Sequence, residues 1–142
     1  MSTTSKPSMD AFFTRSAANE GIEVPLYLPD GTRTEHFLRI RGTDSDAFRQ
    51  AEAEGRRKLL EAAAEKDQHK LSAVAVANTE LLLCSLIIGW SFEQECNEEN
   101  KKKLLREAPQ IGDAIDKMAS RRTLFFKKGS PDSAPSPVPS SS

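Results

Sequence analysis

The feature that most constrains the fold is a long apolar segment, residues 71–89, in the second half of the chain. Five polar residues interrupt it, and it is far longer than an ordinary β-strand. A segment of this kind predicts a helix that is apolar on nearly every side, and such helices are usually buried by their neighbours. We therefore expect a central buried helix that ends at Gly89-Trp90, inside a small and mostly helical domain.

A membrane-spanning helix is the alternative interpretation of the same segment, because about 20 apolar residues cross a bilayer. Asn78-Thr79-Glu80 lies in its middle, and a carboxylate at the bilayer centre costs roughly 3 kcal/mol on insertion scales. The sequence therefore favours a buried helix. A second helical segment that is capped by Asn78 or Thr79 and leaves a kink is the alternative, and both arrangements remain open.

A β-hairpin is predicted near the N-terminus. Apolar and other residues alternate over 22–28, and Pro25, which has no amide donor, places this strand at a sheet edge. Leu28-Pro29-Asp30-Gly31 has the residues of a type I turn with a bulge. The return strand, 34–41, then places His36, Leu38 and Ile40 on one side.

Four helices are expected after the hairpin. The first begins near Asp46, behind the capping side chains of residues 43–45, and runs to about Asp67 with a thin apolar stripe that suits packing on one side only. The central helix follows. Asn97 is a suitable cap for the third helix, and Pro109 fits the first turn of the fourth. The predicted class is α+β, a bundle of about four helices with an N-terminal β-hairpin.

The domain boundaries follow from composition. The 142-residue chain suffices for one modest core. Residues 1–20, rich in Ser, Thr and Ala, are expected to be a flexible arm that Phe12 and Phe13 anchor, and residues 21–128 to be the folded domain. Residues 129–142 contain small, polar and proline residues apart from Val138, which predicts a disordered tail. No signal peptide is expected at the N-terminus.

Charge and residue type argue against several function classes. The net charge is −1, which gives no field to attract nucleic acid or an anionic membrane. His36, His69, Cys84 and Cys96 never pair at zinc-motif spacing, and the seven glycines are scattered rather than gathered in a phosphate-binding loop. We expect no metal, cofactor, disulfide or catalytic site, and recognition of a protein partner through shape and apolar contact.

Candidate partner-binding residues lie at Trp90 and along the fourth helix. Trp90 directly follows the most apolar segment, so core packing and exposure as a partner anchor are both open. The fourth helix carries an amphipathic stripe that ends in bulky apolar residues beside four cations, an unusual place to bury them. Most stripes of this kind belong to the core. The candidates are Trp90, Ile111, Ile115, Met118, Arg121, Arg122, Leu124, Phe125 and Phe126.

The sequence also resembles the tail assembly chaperones of long-tailed bacteriophages, over most of its length. The strongest motifs are Ile87-Ile88-Gly89-Trp90, Asn97-Glu98-Glu99-Asn100 and Leu105-Arg106-Glu107-Ala108-Pro109-Gln110-Ile111. The resemblance extends upstream to the hairpin turn and to Leu38-Arg39-Ile40-Arg41-Gly42. It implies a non-enzymatic protein of the host cytoplasm that coats the helical tape measure protein, keeps it soluble and is absent from the finished virion.

The same resemblance implies recruitment of the tail tube protein, through a longer form that some family members make by a ribosomal frameshift. This chain would then be the short form. Self-association is a further expectation that the sequence leaves open. The alternative function is a structural head-to-tail adaptor or completion protein that remains in the particle.

Overall fold

A computed structural model describes residues 6–127. It contains a three-stranded antiparallel sheet, two long helices that pair with each other, and shorter helices that pack around the sheet. The elements in order are a 3-10 helix Met9–Phe12, α1 Arg15–Glu20, β1 Ile22–Tyr27, β2 Arg33–Ile40, α2 Asp46–Ala64, α3 Gln68–Ser85, β3 Ile87–Trp90, α4 Glu98–Glu107, α5 Pro109–Ala119 and α6 Thr123–Lys127. The predicted α+β class with an N-terminal hairpin is confirmed.

The hairpin forms as predicted. The backbone N–H of Gly31 donates to the carbonyl of Leu28 (2.8 Å), and Gly31 itself adopts a left-handed φ of 93°. Glycine reaches this conformation without the Cβ clash that other residues meet. The sheet order β1-β2-β3 leaves β1 at an edge, where the missing amide of Pro25 is tolerated.

The third strand was not predicted from the sequence. The sequence predicts that the central helix continues to its end at Gly89-Trp90, but α3 ends at Ser85 and Ile87–Trp90 pairs with β2 as β3. Leu38 lies opposite Trp90, and Ile40 opposite Ile87. Two adjacent β-branched residues favour a strand once a neighbouring edge is available, and that edge lies about fifty positions earlier in the chain.

The α2–α3 helical hairpin is fixed at its start, its link and its middle. The Ser45 side chain accepts a hydrogen bond from the N–H of Phe48, and Asp67 accepts from the first turn of α3. Midway, the Asn78 amide donates to the Gly55 carbonyl (2.8 Å), which ties α3 to α2. Asn78 therefore bonds across to α2 inside a continuous α3, and the alternative of a capped second segment is wrong.

The expectation that α3 is a buried central helix is also wrong. Cys84 is the sole buried residue among those of α3, and Val76 is 71% exposed. The reason is geometric: α2 covers one side of α3, whereas the sheet and the later helices pack only near its C-terminal end. The largest fully buried apolar side chains lie instead in the sheet, in α5 and just after α3, at Leu38, Ile40, Leu86, Ile87 and Ile115.

The helices after the sheet begin where the sequence predicts. The Asn97 side chain accepts from the N–H of Asn100 at the start of α4, and Pro109 occupies the first turn of α5. Arg106 of α4 donates two hydrogen bonds to Glu80 of α3, at 2.7 and 2.9 Å. The same Arg106 contact lowers the pKa of Glu80. The carboxylate in the middle of the apolar segment thus faces a cation.

The N-terminal segment, which the sequence predicts to be a flexible arm, contains a short helix. Residues 15–20 form α1, whose Ala18 is buried, and Arg15 forms an ion pair with Asp46. Phe12 and Phe13, the expected anchors, are 72% and 57% exposed. The buried residue of this segment is instead the small Ala18, which packs close to Gly42. The predicted disordered tail, 129–142, lies outside the described residues.

Candidate partner-binding surface

An apolar groove lies between the N-terminal hairpin and α5, and we call it the α5 groove. Its volume is about 220 Å³. The sheet forms its floor through Val24 and Leu38, which are buried. One wall is α5, and the opposite rim is the hairpin turn, where Tyr27 and Leu28 are each 51% exposed. The α5 residues that line it are Gln110, Ile111, Ala114, Ile115 and Met118.

The spacing of the apolar residues along α5 explains how that helix forms one wall of the groove. Ile111, Ile115 and Met118 recur at intervals of four and three, so they share one face of α5. Ile115 is 1% exposed and belongs to the core, whereas Ile111 and Met118 are half-buried. Ala114 between them is short. The helix therefore buries the middle of its stripe and leaves the two ends accessible from the groove.

A second groove, the Trp90 groove, lies where β3 and the segment after it approach α4. Its volume is about 300 Å³, and its apolar residues are Trp90, Phe92 and Leu104. The indole N–H of Trp90 donates to the Gln94 carbonyl (2.7 Å), and its ring meets Phe92 edge-on at 5.4 Å. Because the indole N–H already has an acceptor within the chain, the part of Trp90 that is left for a partner is the apolar surface of its ring.

Both grooves open along the same face of the sheet. Leu38, which lines the α5 groove, is the direct antiparallel partner of Trp90, which lines the Trp90 groove. Directly opposed residues of paired strands project to the same face. Leu104 and Ile111, at the ends of α4 and α5 that meet at Pro109, line one groove each. The joint between the two helices thus divides one apolar face into two openings.

The C-terminal candidates are mostly occupied inside the molecule. Phe125 is 3% exposed and contacts the backbone region of Gly42. Arg122 forms an ion pair with Asp44, and Leu124 is half-buried. Arg121 is exposed, and Phe126 is 47% exposed. Of the bulky groups that end α6, Phe126 presents the most surface to a partner.

Four further groove residues were not predicted from the sequence, because only the tertiary structure brings them together. Tyr27, Leu28, Phe92 and Leu104 belong to three separate segments, and only the folded sheet brings them to the grooves. One signal was available: Leu28 is a large apolar residue directly before Pro29-Asp30-Gly31, where turn residues are usually polar.

The side chains of the types that usually form catalytic and metal-binding sites are scattered in the part of the chain that the structure describes. Within residues 6–127, no cluster of three or more His, Cys, Asp or Glu residues is arranged to hold a metal ion. Burial raises the pKa of the Cys84 thiol, which keeps it protonated and weakly nucleophilic at neutral pH. No helix in that range is sufficiently long and apolar to span a bilayer.

Comparison with known proteins then identifies the family. A family model described as phage tail assembly chaperone matches residues 17–123, from α1 to the start of α6. Comparisons with curated proteins and with solved structures found no match. The matched range includes both strands of the hairpin, both grooves and the α2–α3 hairpin. Since the match covers well over half of its length, this chain belongs to the phage tail assembly chaperone family.

Proposed function

We propose that this chaperone binds the tape measure protein of its phage in the host cytoplasm and keeps it soluble until the tail tube grows around it. The family supplies the general role in tail assembly. The observation that carries the finer proposal is the α5 groove, an apolar opening between Leu28 on the hairpin and Met118 on α5. The sequence resemblance to chaperones that coat the tape measure protein indicates the partner.

The groove suits one apolar edge of a helix. An amphipathic helix presents side chains at intervals of three and four residues, and a groove lined by Val24, Ile111 and Met118 accepts them without a charged group in its floor. A volume of about 220 Å³ holds only a few side chains. A single contact is therefore weak, and a long helical partner is covered by many copies, each binding reversibly.

The Trp90 groove supplies a second contact of the same chemistry. Lys103 and Glu107 lie on its rim, so a partner side chain enters past one cation and one carboxylate. Because the two grooves share a sheet face, one partner helix can reach both. Weak linked contacts raise overall affinity while each one remains exchangeable, which suits a chaperone that growing tube subunits displace.

We further propose that recruitment of the tail tube protein belongs to a longer frameshifted form, and that neither form remains in the mature virion. Mass spectrometry of purified particles tests the second statement. Presence of this chain at the copy number of a structural subunit would favour the head-to-tail adaptor instead.

Co-expression tests the partner. The tape measure protein encoded by the same phage is produced with and without this chain, and its soluble fraction is measured. We expect it to be soluble and to co-purify only in the presence of the chaperone. Failure to co-purify, while the tape measure protein precipitates in both cultures, would contradict the proposal.

A further inference from the structure

The aromatic side of the Trp90 groove is held in place by contacts within the chain. The Phe92 ring contacts two others, with its centroid 5.4 Å from that of Trp90 and 4.9 Å from that of His36. Ser91, between Trp90 and Phe92 in the sequence, accepts a hydrogen bond from the backbone N–H of Phe37 (2.8 Å). The rings of the groove are therefore arranged before any occupant arrives.

The lining of this groove suits a proline-rich segment. Such segments bind grooves lined with aromatic rings, and their polyproline II backbone leaves its carbonyls free to accept hydrogen bonds. Lys103 on the rim can donate to a carbonyl, since its ammonium group has no hydrogen bond or ion pair within residues 6–127. Glu107, also on the rim, can accept from a serine hydroxyl. The α5 groove is the poorer match, because Tyr27 is the one aromatic residue in its lining.

A segment of this chemistry is present in the chain itself, outside the described residues. Residues 135–139 read Pro-Ser-Pro-Val-Pro, and residues 133–142 contain no charged side chain. A polyproline II helix has three residues per turn, so every third side chain falls on the same edge. In that geometry Pro135 and Val138 share one edge, about 9 Å apart, and form an apolar pair.

The segment can reach the groove. Phe125, near the end of α6, lies close to Gly42, and Gly42 is four residues from Leu38, the strand partner of Trp90. Four extended residues span about 13 Å and a neighbouring strand lies about 5 Å away, so Trp90 is no more than about 20 Å from Gly42. The eight residue steps from the end of α6 to Pro135 can span about 27 Å. The connection is therefore long enough with the described fold unchanged.

We propose that residues 135–139 of this chain lie across its own Trp90 groove while no partner occupies it. Pro135 and Val138 then face the aromatic rings. The contact is intramolecular, so the connecting residues keep the segment at a high effective concentration near the groove. The segment covers aromatic surface that is otherwise open to solvent, and a partner that binds this groove must displace it.

The contact itself needs no partner, and only its consequence rests on the proposed function. If a tape measure helix enters the Trp90 groove, it competes with residues 135–139, whereas the α5 groove stays open to it throughout. The test below contains this chain alone in its main comparison. The contact and the proposed function can therefore fail separately.

Tryptophan fluorescence of the full chain tests the contact. Trp90 is the sole tryptophan of the sequence, so its emission wavelength and its quenching by acrylamide report on this groove. We expect Val138→Asp, which brings a carboxylate into an apolar contact near Glu107, to shift the emission to longer wavelength and to increase quenching. Ser142→Asp is the matched control, since it adds the same charge outside the 135–139 segment. It should behave like the wild type.

Both substitutions lie outside residues 6–127, so the far-ultraviolet circular dichroism of the three proteins should coincide, and a fluorescence change then reports on the groove rather than on unfolding. Equal emission and quenching in the wild type and Val138→Asp would overturn the proposal. So would an equal change in both variants, which would be an effect of charge alone. Quenching that is the same in the wild type and Val138→Asp, yet falls when the tape measure protein is added, would assign the groove to that partner and likewise overturn the contact.

Discussion

Arg122, just before α6, donates two hydrogen bonds to Asp44, which precedes α2: Nε to Oδ2 at 2.6 Å and Nη2 to Oδ1 at 2.9 Å. The two residues are 78 positions apart, so the pair connects the start of α6 to the start of α2. Arg49 approaches the same carboxylate at 3.2 Å. Asp44 is well enclosed, with 12% of its side chain exposed.

The Asp44 pair predicts a pH dependence of stability. The hydrogen bonds from Arg122 hold the pKa of Asp44 well below its ordinary value of 3.8. The unfolded chain therefore binds this proton more readily than the native one, and the stabilisation is fully present above the ordinary pKa and lost as pH falls below it. In urea melts, Asp44→Asn should be less stable than the wild type at pH 7, and the difference should shrink below about pH 4. A difference that grows on acidification would contradict this assignment.

The two phenylalanines of α6 should contribute to stability to different extents. Phe125 is 3% exposed and Phe126 is 47% exposed. Phe125→Ala should lower the free energy of unfolding by about 3–5 kcal/mol, the usual cost of removing a buried ring. Phe126→Ala should lower it by much less, about 1 kcal/mol, because nearly half of that residue is already exposed. Equal effects of the two changes in chemical melts would show that the end of α6 is packed differently.

The placement of the core predicts a contrast between two apolar residues near opposite ends of the same long segment. Leu86 is fully buried just after α3, whereas Val76 is exposed. Leu86→Ala should cost about 2–5 kcal/mol of stability, and Val76→Ala less than about 0.5 kcal/mol. A large loss of stability in Val76→Ala would contradict this placement and would support the buried central helix that the hydropathy pattern predicts.

Local chemistry was predictable from the sequence, and long-range placement was not. The Leu28 to Gly31 turn and the caps Ser45 and Asn97 depend on residues within a few positions of each other, and each was predicted. Strand β3 depends on pairing with β2, about fifty positions away. The exposure of α3 depends on which neighbours reach it, and hydropathy alone does not contain that information.

The same division applies to the candidate surface. Helical spacing grouped Ile111, Ile115 and Met118 correctly on one face of α5, and all three line the α5 groove. Spacing did not show that the hairpin turn would form the opposite rim. It also did not separate Phe125, which is buried, from Phe126, which is half exposed.

The most direct test of the proposed function is the amount of tape measure protein that co-purifies with a groove variant. Leu28→Asp places a carboxylate on the exposed rim of the α5 groove, and Leu60→Asp makes the same change on α2, where Leu60 is 73% exposed and lines neither groove. Both variants should melt like the wild type. We predict that Leu28→Asp loses most of the co-purifying tape measure protein and that Leu60→Asp retains it. Full retention by a folded Leu28→Asp variant would contradict the assignment of the α5 groove as the binding surface.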